Sequence, residues 1–389
     1  MDILFLDSPS FAKEDMIDAF SQLGCHIDLF FHPDYRCRHS SDFENAFRNQ
    51  IVNKNYDFVF SFNYCPIISI CCEKNNLKYI SYVYDSPHST LYSYTVINKC
   101  NYIFIFDQQT YLELAQNGFQ TVHFLPLAAN PTRLTKIVPS DSLRETLSCD
   151  ISFVGSMYNE SPNLYDSVKE KLSSYTQGFV ESILLSQHHV YGYYFIQEIL
   201  EKNDSVFNEL HQAYPYPDNK DGVESPHYII AQYMLGRKLT EMERHIYLHE
   251  LSKHHDVHLY THNPTPELPL VKNCGTIDFR RDQHYLFKCS DINLNISLRS
   301  IRSGIPLRCY DIMGSGGFLL TNYQSDFFPD FIPGEDYDYF DSEETLLQKV
   351  DYYLTHDTKR RDMINCCLQK IEENHTFVHR AQTMISVLS

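Results

Sequence analysis

Residues 291–322 read DINLNISLRSIRSGIPLRCYDIMGSGGFLLTN, and this stretch decides the fold. Within 291–297, isoleucine and leucine alternate with polar residues, which predicts a strand. The apolar run 318–321 follows a glycine pair and predicts a second strand. The sequence between them predicts a basic loop and then a helix, because Pro306 suits the first helical turn, where its missing N–H would have no intrahelical partner. This order of elements is typical of an α/β sheet.

The loop and the start of this helix have the composition of an anion site. Three arginines lie there, and the free N–H groups and positive dipole end of the helix would face the same side. Such an arrangement binds a phosphate or diphosphate beyond the carboxyl ends of parallel strands. Asp311, one turn after Arg308, could accept hydrogen bonds from ribose hydroxyls; alternatively, the two residues form only a surface ion pair. The candidate donor contacts of this segment are Arg299, Arg302, Ser303, Gly304, Arg308 and Asp311.

Several short motifs of the chain also match a known pattern. The chain has RCYDIMGSGG at 308–317, GED at 334–336 and HTF at 375–377. These motifs resemble the C-terminal half of bacterial GT-B glycosyltransferases related to the spore maturation protein B (CgeB-like) group. YDSP at 84–87 and LPLAAN at 125–130 resemble the domain usually fused in front of it.

The resemblance implies a GT-B fold, in which two Rossmann-like α/β domains face a cleft. It predicts an N-terminal acceptor domain over 1–135, a nucleotide-sugar domain over 150–375, and a tail over 376–389 that crosses back to the first domain. It implies a hexosyltransferase-like enzyme that uses a nucleotide-sugar donor, expected to be a UDP-sugar, without a metal or a cofactor. Gly155 and Ser156 are further donor contacts that the resemblance implies, although a glycine at this position is equally consistent with a tight turn.

The first 135 residues alternate predicted strands and helices, which requires right-handed crossovers and a parallel sheet. Residues 7–10 (DSPS) follow the first strand in place of GxGxxG, so no dinucleotide site is expected there. The pattern over 162–253 is largely helical and predicts an insertion in the second domain. After a strand at 257–260, a short strand is predicted at 275–278.

Charge and composition exclude several classes of function. A net charge of −18 without a Lys/Arg run argues against nonspecific nucleic-acid binding. Twelve cysteines without zinc-like spacing indicate a reduced, cytoplasmic setting. The longest apolar runs are shorter than the roughly 18 residues of a membrane span. Adjacent histidines at 188–189 and 254–255 would point in different directions on a helix, so no metal site is expected there.

Asp85 and His88 are the candidates for a catalytic base. Their turn follows the predicted strand 79–84 at its carboxyl end, where α/β sheets bind ligands. His88 has a pKa suited to proton transfer near neutrality, whereas Asp85 would need burial or could orient His88. An inverting enzyme needs such a base, but in a retaining enzyme the departing phosphate can take the proton. Alternatively, Asp85 only caps the turn before Pro87.

The Asp-x-Asp sequence at 336–338 has a spacing that holds a divalent metal in another glycosyltransferase fold. Because it follows Pro333 and Gly334 inside the second predicted sheet, we interpret it as a loop whose carboxylates point away from the diphosphate or meet acceptor hydroxyls.

Two other functions fit the pattern. One is a catalytically inactive GT-B-like module for nucleotide sensing or for assembly of spore coat or surface polysaccharide, and the other is an unrelated two-domain ligand-binding protein. Arg308, Asp311 and the glycine pair favour a working donor site over the first, and the lack of an export signal disfavours the second. The acceptor could be a protein, a glycan or a cell-surface polymer precursor, and the oligomeric state has no signal in the sequence.

Overall fold

The chain, described by a computed structural model over residues 1–159, 163–216 and 219–388, forms two compact units. Of these residues, 1–128, 219–224 and 375–388 form the first unit, and the rest form the second. Residue 162, the predicted start of the insertion, and residue 389, the predicted end of the tail, lie outside the described residues.

The first unit is built on a parallel sheet of six short strands. The strands are β1 (Asp2–Leu6), β2 (His26–Phe30), β3 (Phe58–Phe62), β4 (Lys78–Val83), β5 (Asn101–Ile105) and β6 (Val122–Phe124). Their order is β2-β1-β3-β4-β5-β6, and every pair is parallel. The strand order reverses between β1 and β3, and such reversals are where open α/β sheets bind ligands, beyond the carboxyl ends of the strands.

Helices cover this sheet, as parallel strands require. They are α1 (Lys13–Gln22), α2 (Ser41–Ile51), α3 (Pro66–Lys74) and α4 (Gln108–Gln116), with 3₁₀ turns at Pro33–Arg36, Ser89–Tyr92 and Tyr94–Ile97. Phe43 and Phe47 lie one turn apart on α2, and both are buried in the same core as Ile67 of α3. The alternation of strands and helices predicted over 1–135 is therefore confirmed.

The second unit is built on another parallel sheet of six strands. They are β7 (Cys149–Val154), β8 (Val257–Tyr260), β9 (Lys272–Asn273), β10 (Ser290–Asn295), β11 (Leu319–Asn322) and β12 (Asp338–Phe340), in the order β12-β11-β10-β7-β8-β9. The α/β fold class with two parallel sheets is confirmed. The strand predicted at 275–278 is wrong: Gly275 takes a turn with φ +75°, and the edge strand is β9, just before it.

The second unit contains most of the helices. They are α5 (Pro131–Leu134), α6 (Asp141–Leu147), α7 (Ser174–His188), α8 (Ile196–Glu201), α9 (Asp204–Ala213), α10 (Pro226–Ile229), α11 (Gly236–Ser252), α12 (Asp282–Cys289), α13 (Leu307–Ser315), α14 (Glu343–Thr355) and α15 (Asp357–Asn374). Helices α7 to α11, with a π-helical turn at Ile230–Leu235, separate β7 from β8, which confirms the helical insertion. Within the described ranges, each helix is too short or too polar to cross a membrane.

A segment from the middle of the sequence, residues 219–224, belongs to the first unit. Gly222 forms an antiparallel bridge with Ser93, and Val223 N donates to Tyr92 O at 2.8 Å. The carboxylate of Glu224 is buried and forms an ion pair with Arg38. The sequence pattern predicted one helical insertion over this region and gave no sign of this excursion.

The end of the chain also lies in the first unit. Helix α16 (Phe377–Ser386) packs against α1 and buries Phe377 and Met384. The guanidinium of Arg380 is buried and donates to Pro126 O at 2.8 Å and to Leu127 O at 3.0 Å. These bonds satisfy carbonyl groups of the irregular segment that follows β6.

Candidate functional site

The predicted donor residues lie at the reversal point of the second sheet. There β7 has β8 on one side and β10 on the other, so the loops that follow β7 and β10 leave the sheet at its carboxyl edge on neighbouring strands. The first loop contains Gly155 and Ser156, and the second, residues 296–306, contains the predicted basic segment. The reversal point is the expected ligand position for this topology.

Helix α13 starts at this point, as predicted from Pro306. Pro306 is its N-cap residue, no side chain caps it, and the helix ends where Gly316 adopts φ +78°. The N–H groups of its first turn therefore point out of the helix, where they and the helix dipole favour an anion.

Arg308 lies in the first turn of α13. Its Nη1 donates to Val154 O, the last carbonyl of β7, at 2.7 Å. Its Nε is buried and has no hydrogen-bond partner among the residues that the structure describes. Burial lowers the pKa of Arg308, while Asp311 opposes this effect. Arg308 is thus a partly buried cation directed at the end of β7, with the charge of Asp311 nearby, and an anionic ligand would offset the cost of its burial.

Arg244 of α11 is a second cation at the same edge, and no pattern in the sequence indicated this position for it. It donates to Ser156 O and, at 2.6 Å, to Ile296 O, so it joins the loops after β7 and β10. The guanidinium carbon lies 5.1 Å from the ring centroid of Phe153 and 4.8 Å from that of Tyr158. Arg244 is only 7% exposed and helps to lower the pKa of Arg308, so two positive charges share this edge.

Gly155 and Ser156 shape the loop after β7. A Cβ atom added to Gly155 would lie 3.3 Å from the ring of Phe153, which is tighter than most Cβ contacts, so a side chain at this position would press on that ring. The hydroxyl of Ser156 accepts a hydrogen bond from Tyr158 N at 2.9 Å. Close packing against Phe153 accounts for the glycine, and both the tight turn and the donor role of the two residues stay predictions.

Arg299 makes contacts that differ from the predicted ones. Its Nη2 donates to Gln187 O at 2.8 Å and to Val190 O at 2.5 Å, and its Nε lies 3.3 Å from the carboxylate of Glu243. Its guanidinium carbon is 4.0 Å from the ring centroid of Tyr191. With 8% of its surface exposed, Arg299 uses its charge within the protein and attaches the loop after β10 to the helical insertion. These contacts argue against a phosphate contact for this arginine.

The remaining predicted donor residues lie close along the chain but differ in exposure. Arg302 and Asp311 are partly exposed, whereas Ser303 and Gly304 are buried. Ser303 O accepts a hydrogen bond from Asp326 N at 3.1 Å, which holds the loop against the segment after β11. Arg302 also borders a cavity of about 20 Å³, which has room for a water molecule and not for a nucleotide.

The two carboxylates of the Asp-x-Asp sequence are bound to different protein groups. Asp336 accepts hydrogen bonds from Ile332 N at 2.6 Å and from Lys370 at 2.5 Å. Asp338 accepts from Lys349 at 2.7 Å and from the hydroxyl of Tyr353 at 2.8 Å. Within the part of the chain that the structure describes, there is no group of three or more residues suited to hold a metal ion.

The candidate base residues Asp85 and His88 border a pocket in the first unit. Asp85 is exposed, and one oxygen of its carboxylate accepts a hydrogen bond from the side-chain amide of Asn63 at 2.7 Å. Nε2 of His88 accepts from Tyr64 N at 3.2 Å and lies 2.7 Å from the hydroxyl of Thr90. Burial lowers the pKa of His88, and Asp85 opposes the shift, so the imidazole is neutral at pH 7.

Comparisons with known proteins agree with this architecture. Residues 243–386 match the model of a family described as glycosyl transferase-like. A comparison with curated proteins finds no significant match. Sucrose-phosphate synthase from Thermosynechococcus elongatus aligns over 100% of this chain and 99% of its own, with 9% identity and a TM-score of 0.55. Anabaena HepE in complex with UDP-glucose aligns over 100% and 99%, with 10% identity and a TM-score of 0.54.

A glycosyltransferase from Rickettsia africae is also similar, with 12% identity, a TM-score of 0.53, and coverage of 99% of this chain and 97% of that protein. Identities this low are evidence for the fold alone. The family match adds sequence evidence over α11 to α16, which include Arg244 and Arg308. The chain therefore has the GT-B fold of glycosyltransferases, and residues 243–386 are similar to a glycosyl transferase-like family.

Proposed function

We propose that this protein is a glycosyltransferase that moves a sugar from a nucleotide-activated donor to an acceptor without a metal ion. The observation that supports it most is Arg308, a partly buried cation at the start of α13 whose buried Nε has no hydrogen-bond partner in the described part of the chain. A diphosphate at this edge would accept hydrogen bonds from it and remove the cost of its burial. A UDP-sugar is the expected donor, because HepE, which has the same fold, is known in complexes with UDP and with UDP-glucose.

The proposed mechanism is electrostatic. A bond forms between an acceptor oxygen and the anomeric carbon, the bond from that carbon to the diphosphate oxygen breaks, and negative charge develops on the departing nucleoside diphosphate. Arg308, Arg244 and the N-terminus of α13 would stabilise that charge, as preorganised cations and dipoles do. Arg302 would supply a further contact, and Asp311 would accept hydrogen bonds from the ribose.

The acceptor proton needs a base if the configuration is inverted. We propose Asp85 for this role although it is exposed rather than buried, because its carboxylate borders the pocket while Nε2 of His88 is engaged by Tyr64 N and the hydroxyl of Thr90. His88 would then position the turn, since its Nε2 already accepts a hydrogen bond from the loop after β3. If the enzyme retains configuration, the departing phosphate takes the proton and no side chain is needed.

The decisive experiment is calorimetric titration with UDP, GDP and ADP, each in the presence and absence of a chelator, followed by product analysis with UDP-glucose. We expect one nucleoside diphosphate to bind equally in both conditions and the matching nucleotide-sugar to be consumed. Loss of binding in chelator would contradict the metal-independent mechanism. No binding of any nucleotide would contradict the proposal as a whole.

A second candidate is a catalytically inactive GT-B module of the CgeB-like group that senses nucleotides or assists assembly of spore coat or surface polysaccharide. The observation that favours it is Arg299, because this predicted phosphate ligand instead contacts Glu243 and two backbone carbonyls. It predicts nucleotide binding with neither transfer nor hydrolysis of any nucleotide-sugar. Chromatography that detects released nucleoside diphosphate distinguishes the active enzyme, which releases it, from the inactive module, which does not.

A further inference from the structure

The first unit has a pocket of about 420 Å³ at the reversal point of its own sheet. Ser8 and Pro9, which follow β1, form one wall, and residues 63–66, which follow β3, form another. Asp85 and His88, after β4, complete the border. The volume lies in the range of about 300–1,000 Å³ that is common for pockets that bind small molecules.

We infer that this pocket binds the acceptor and that the acceptor is a saccharide. The inference rests on the proposed function, which leaves the class of acceptor open. It also makes a claim about the first unit that can be tested without any donor.

The lining combines aromatic rings with hydrogen-bonding groups. Phe62 and Tyr84 pack edge to face with ring centroids 5.5 Å apart, so Phe62 supports the ring of Tyr84 at the pocket. The guanidinium of Arg36 lies 5.2 Å from the ring centroid of Tyr35, and its Nε donates to the hydroxyl of that tyrosine. These pairs present flat apolar surfaces beside polar tips.

A sugar has the same combination, because the C–H faces of a pyranose are apolar and its edge carries hydroxyl groups. The hydroxyls can donate to the carboxylate of Asp85 and accept from Arg36 and from the amide of Asn63, which already donates to Asp85 at 2.7 Å. One of the hydroxyls would then lie beside Asp85, where the proposed reaction needs its nucleophile. The same polar groups make the pocket unsuitable for a hydrocarbon chain, which would desolvate them without compensation.

A peptide acceptor fits less well. Recurring modes of peptide binding use an exposed sheet edge, a hydrophobic groove for a helix or an aromatic groove for a polyproline helix. This pocket lies beyond the carboxyl ends of β1, β3 and β4, which are not edge strands of the sheet. Its wall includes a histidine, an arginine and an aspartate rather than a continuous apolar groove.

The test is ligand-observed NMR with D-glucose, D-galactose, N-acetyl-D-glucosamine and maltose as probes, with a serine-rich peptide as the competing class. We expect at least one sugar to show saturation transfer from the intact chain, which means that it binds. Arg36→Ala and Tyr84→Ala should each raise the dissociation constant of that sugar by about tenfold or more. Arg36→Ala removes a hydrogen bond to a charged group, and Tyr84→Ala removes a ring contact. Arg48→Ala, which removes an exposed arginine of α2 in the same unit, should leave the binding unchanged.

The result that overturns the inference is an absence of binding for all four sugars, or sugar binding that Arg36→Ala and Tyr84→Ala leave unchanged, or binding of the peptide alone. Arg36 is exposed, so its variant is expected to fold even if Tyr84→Ala does not, and thermal melting checks both. UDP titration is carried out on the same samples. UDP binding without sugar binding refutes only the inference, whereas sugar binding without any nucleotide binding refutes the proposed donor site and leaves the saccharide pocket in place.

Discussion

Two arginines of one short segment, Arg299 and Arg308, occupy opposite electrostatic environments. Arg299 has a buried carboxylate and two carbonyl groups as partners, whereas Arg308 has one carbonyl and an Nε that none of the described residues satisfies. The charge of Arg299 therefore stabilises the fold, whereas the charge of Arg308 is available for a ligand. The residue type alone did not distinguish them, because the partners of Arg299 lie 56 to 112 positions earlier in the chain.

We expect Arg308→Ala to weaken UDP binding by about 1.5–3 kcal/mol, the range for a hydrogen bond to a charged group. This corresponds to roughly ten- to a hundredfold in the dissociation constant, measured by calorimetry. Arg48→Ala is the matched control, since it removes the same charge from an exposed position of the first unit. Normal UDP affinity combined with a lower melting temperature would show that Arg308 serves only to attach α13 to β7.

We expect Asp85→Asn to lower turnover by about a hundredfold or more while UDP affinity stays unchanged, which is the behaviour of a general base. The change keeps the shape of the side chain and removes its ability to accept a proton. His88→Gln should lower the free energy of unfolding and leave turnover close to normal, because His88 accepts a hydrogen bond from the loop after β3. Near-normal turnover in both variants would instead indicate a retaining enzyme that needs no protein base.

At the scale of elements, the packing of α13 depends on a glycine. A Cβ atom added to Gly314 would lie 2.5 Å from Cβ of Ala129 and 3.3 Å from Leu134. We therefore expect Gly314→Ala to lower the free energy of unfolding by about 1–3 kcal/mol, as overpacking of a core does. Urea unfolding of the intact chain measures this.

Gly178→Ala is the control for that prediction. Gly178 lies inside α7, and an added Cβ would meet no atom within 4 Å. Alanine should therefore raise the free energy of unfolding by about 0.5–1 kcal/mol, since it is the better helix former. If both alanine variants change stability in the same direction, the close approach of α13 to Ala129 is not what constrains position 314.

The elements around the donor site could be predicted because their signals are local. Alternating residues specify β10, Pro306 precedes the first turn of α13, and Gly316 takes the left-handed conformation that ends it. Arg244 could not be found in this way. Whether a residue of α11 reaches the sheet edge depends on how the insertion packs, and the sequence carries no periodic signal for that.

At the scale of the whole molecule, stability should fall as the pH drops below neutrality. Burial lowers the pKa of five histidines, His88, His123, His227, His258 and His379. In the unfolded chain these groups titrate near pH 6.5, so the unfolded state binds more protons below that value. Their contribution is therefore complete above about pH 6.5 and is lost progressively as the pH falls toward the lower folded-state pKa values.

Urea unfolding at pH 7.5 and pH 6.0 tests this expectation. The free energy of unfolding should fall less between pH 7.5 and pH 6.0 in His88→Gln, because glutamine does not titrate. The fall should persist in His262→Gln, which replaces an exposed histidine. A free energy of unfolding that is equal at both pH values would contradict the neutral, buried state assigned to these imidazoles.

The return of α16 to the first unit has a consequence for synthesis on the ribosome. Residues 1–128 are made before the second unit, whereas the helix that packs on α1, and Arg380 with its bonds to Pro126 and Leu127, are made after residue 374 of the second unit. The first unit therefore cannot complete its packing before residues 375–388 have been made, although domains usually fold in the order of their synthesis. Until then part of the surface of the first unit stays uncovered while the second unit can already fold, so we expect a chaperone that protects apolar surface to act on residues 1–128 until α16 has been made.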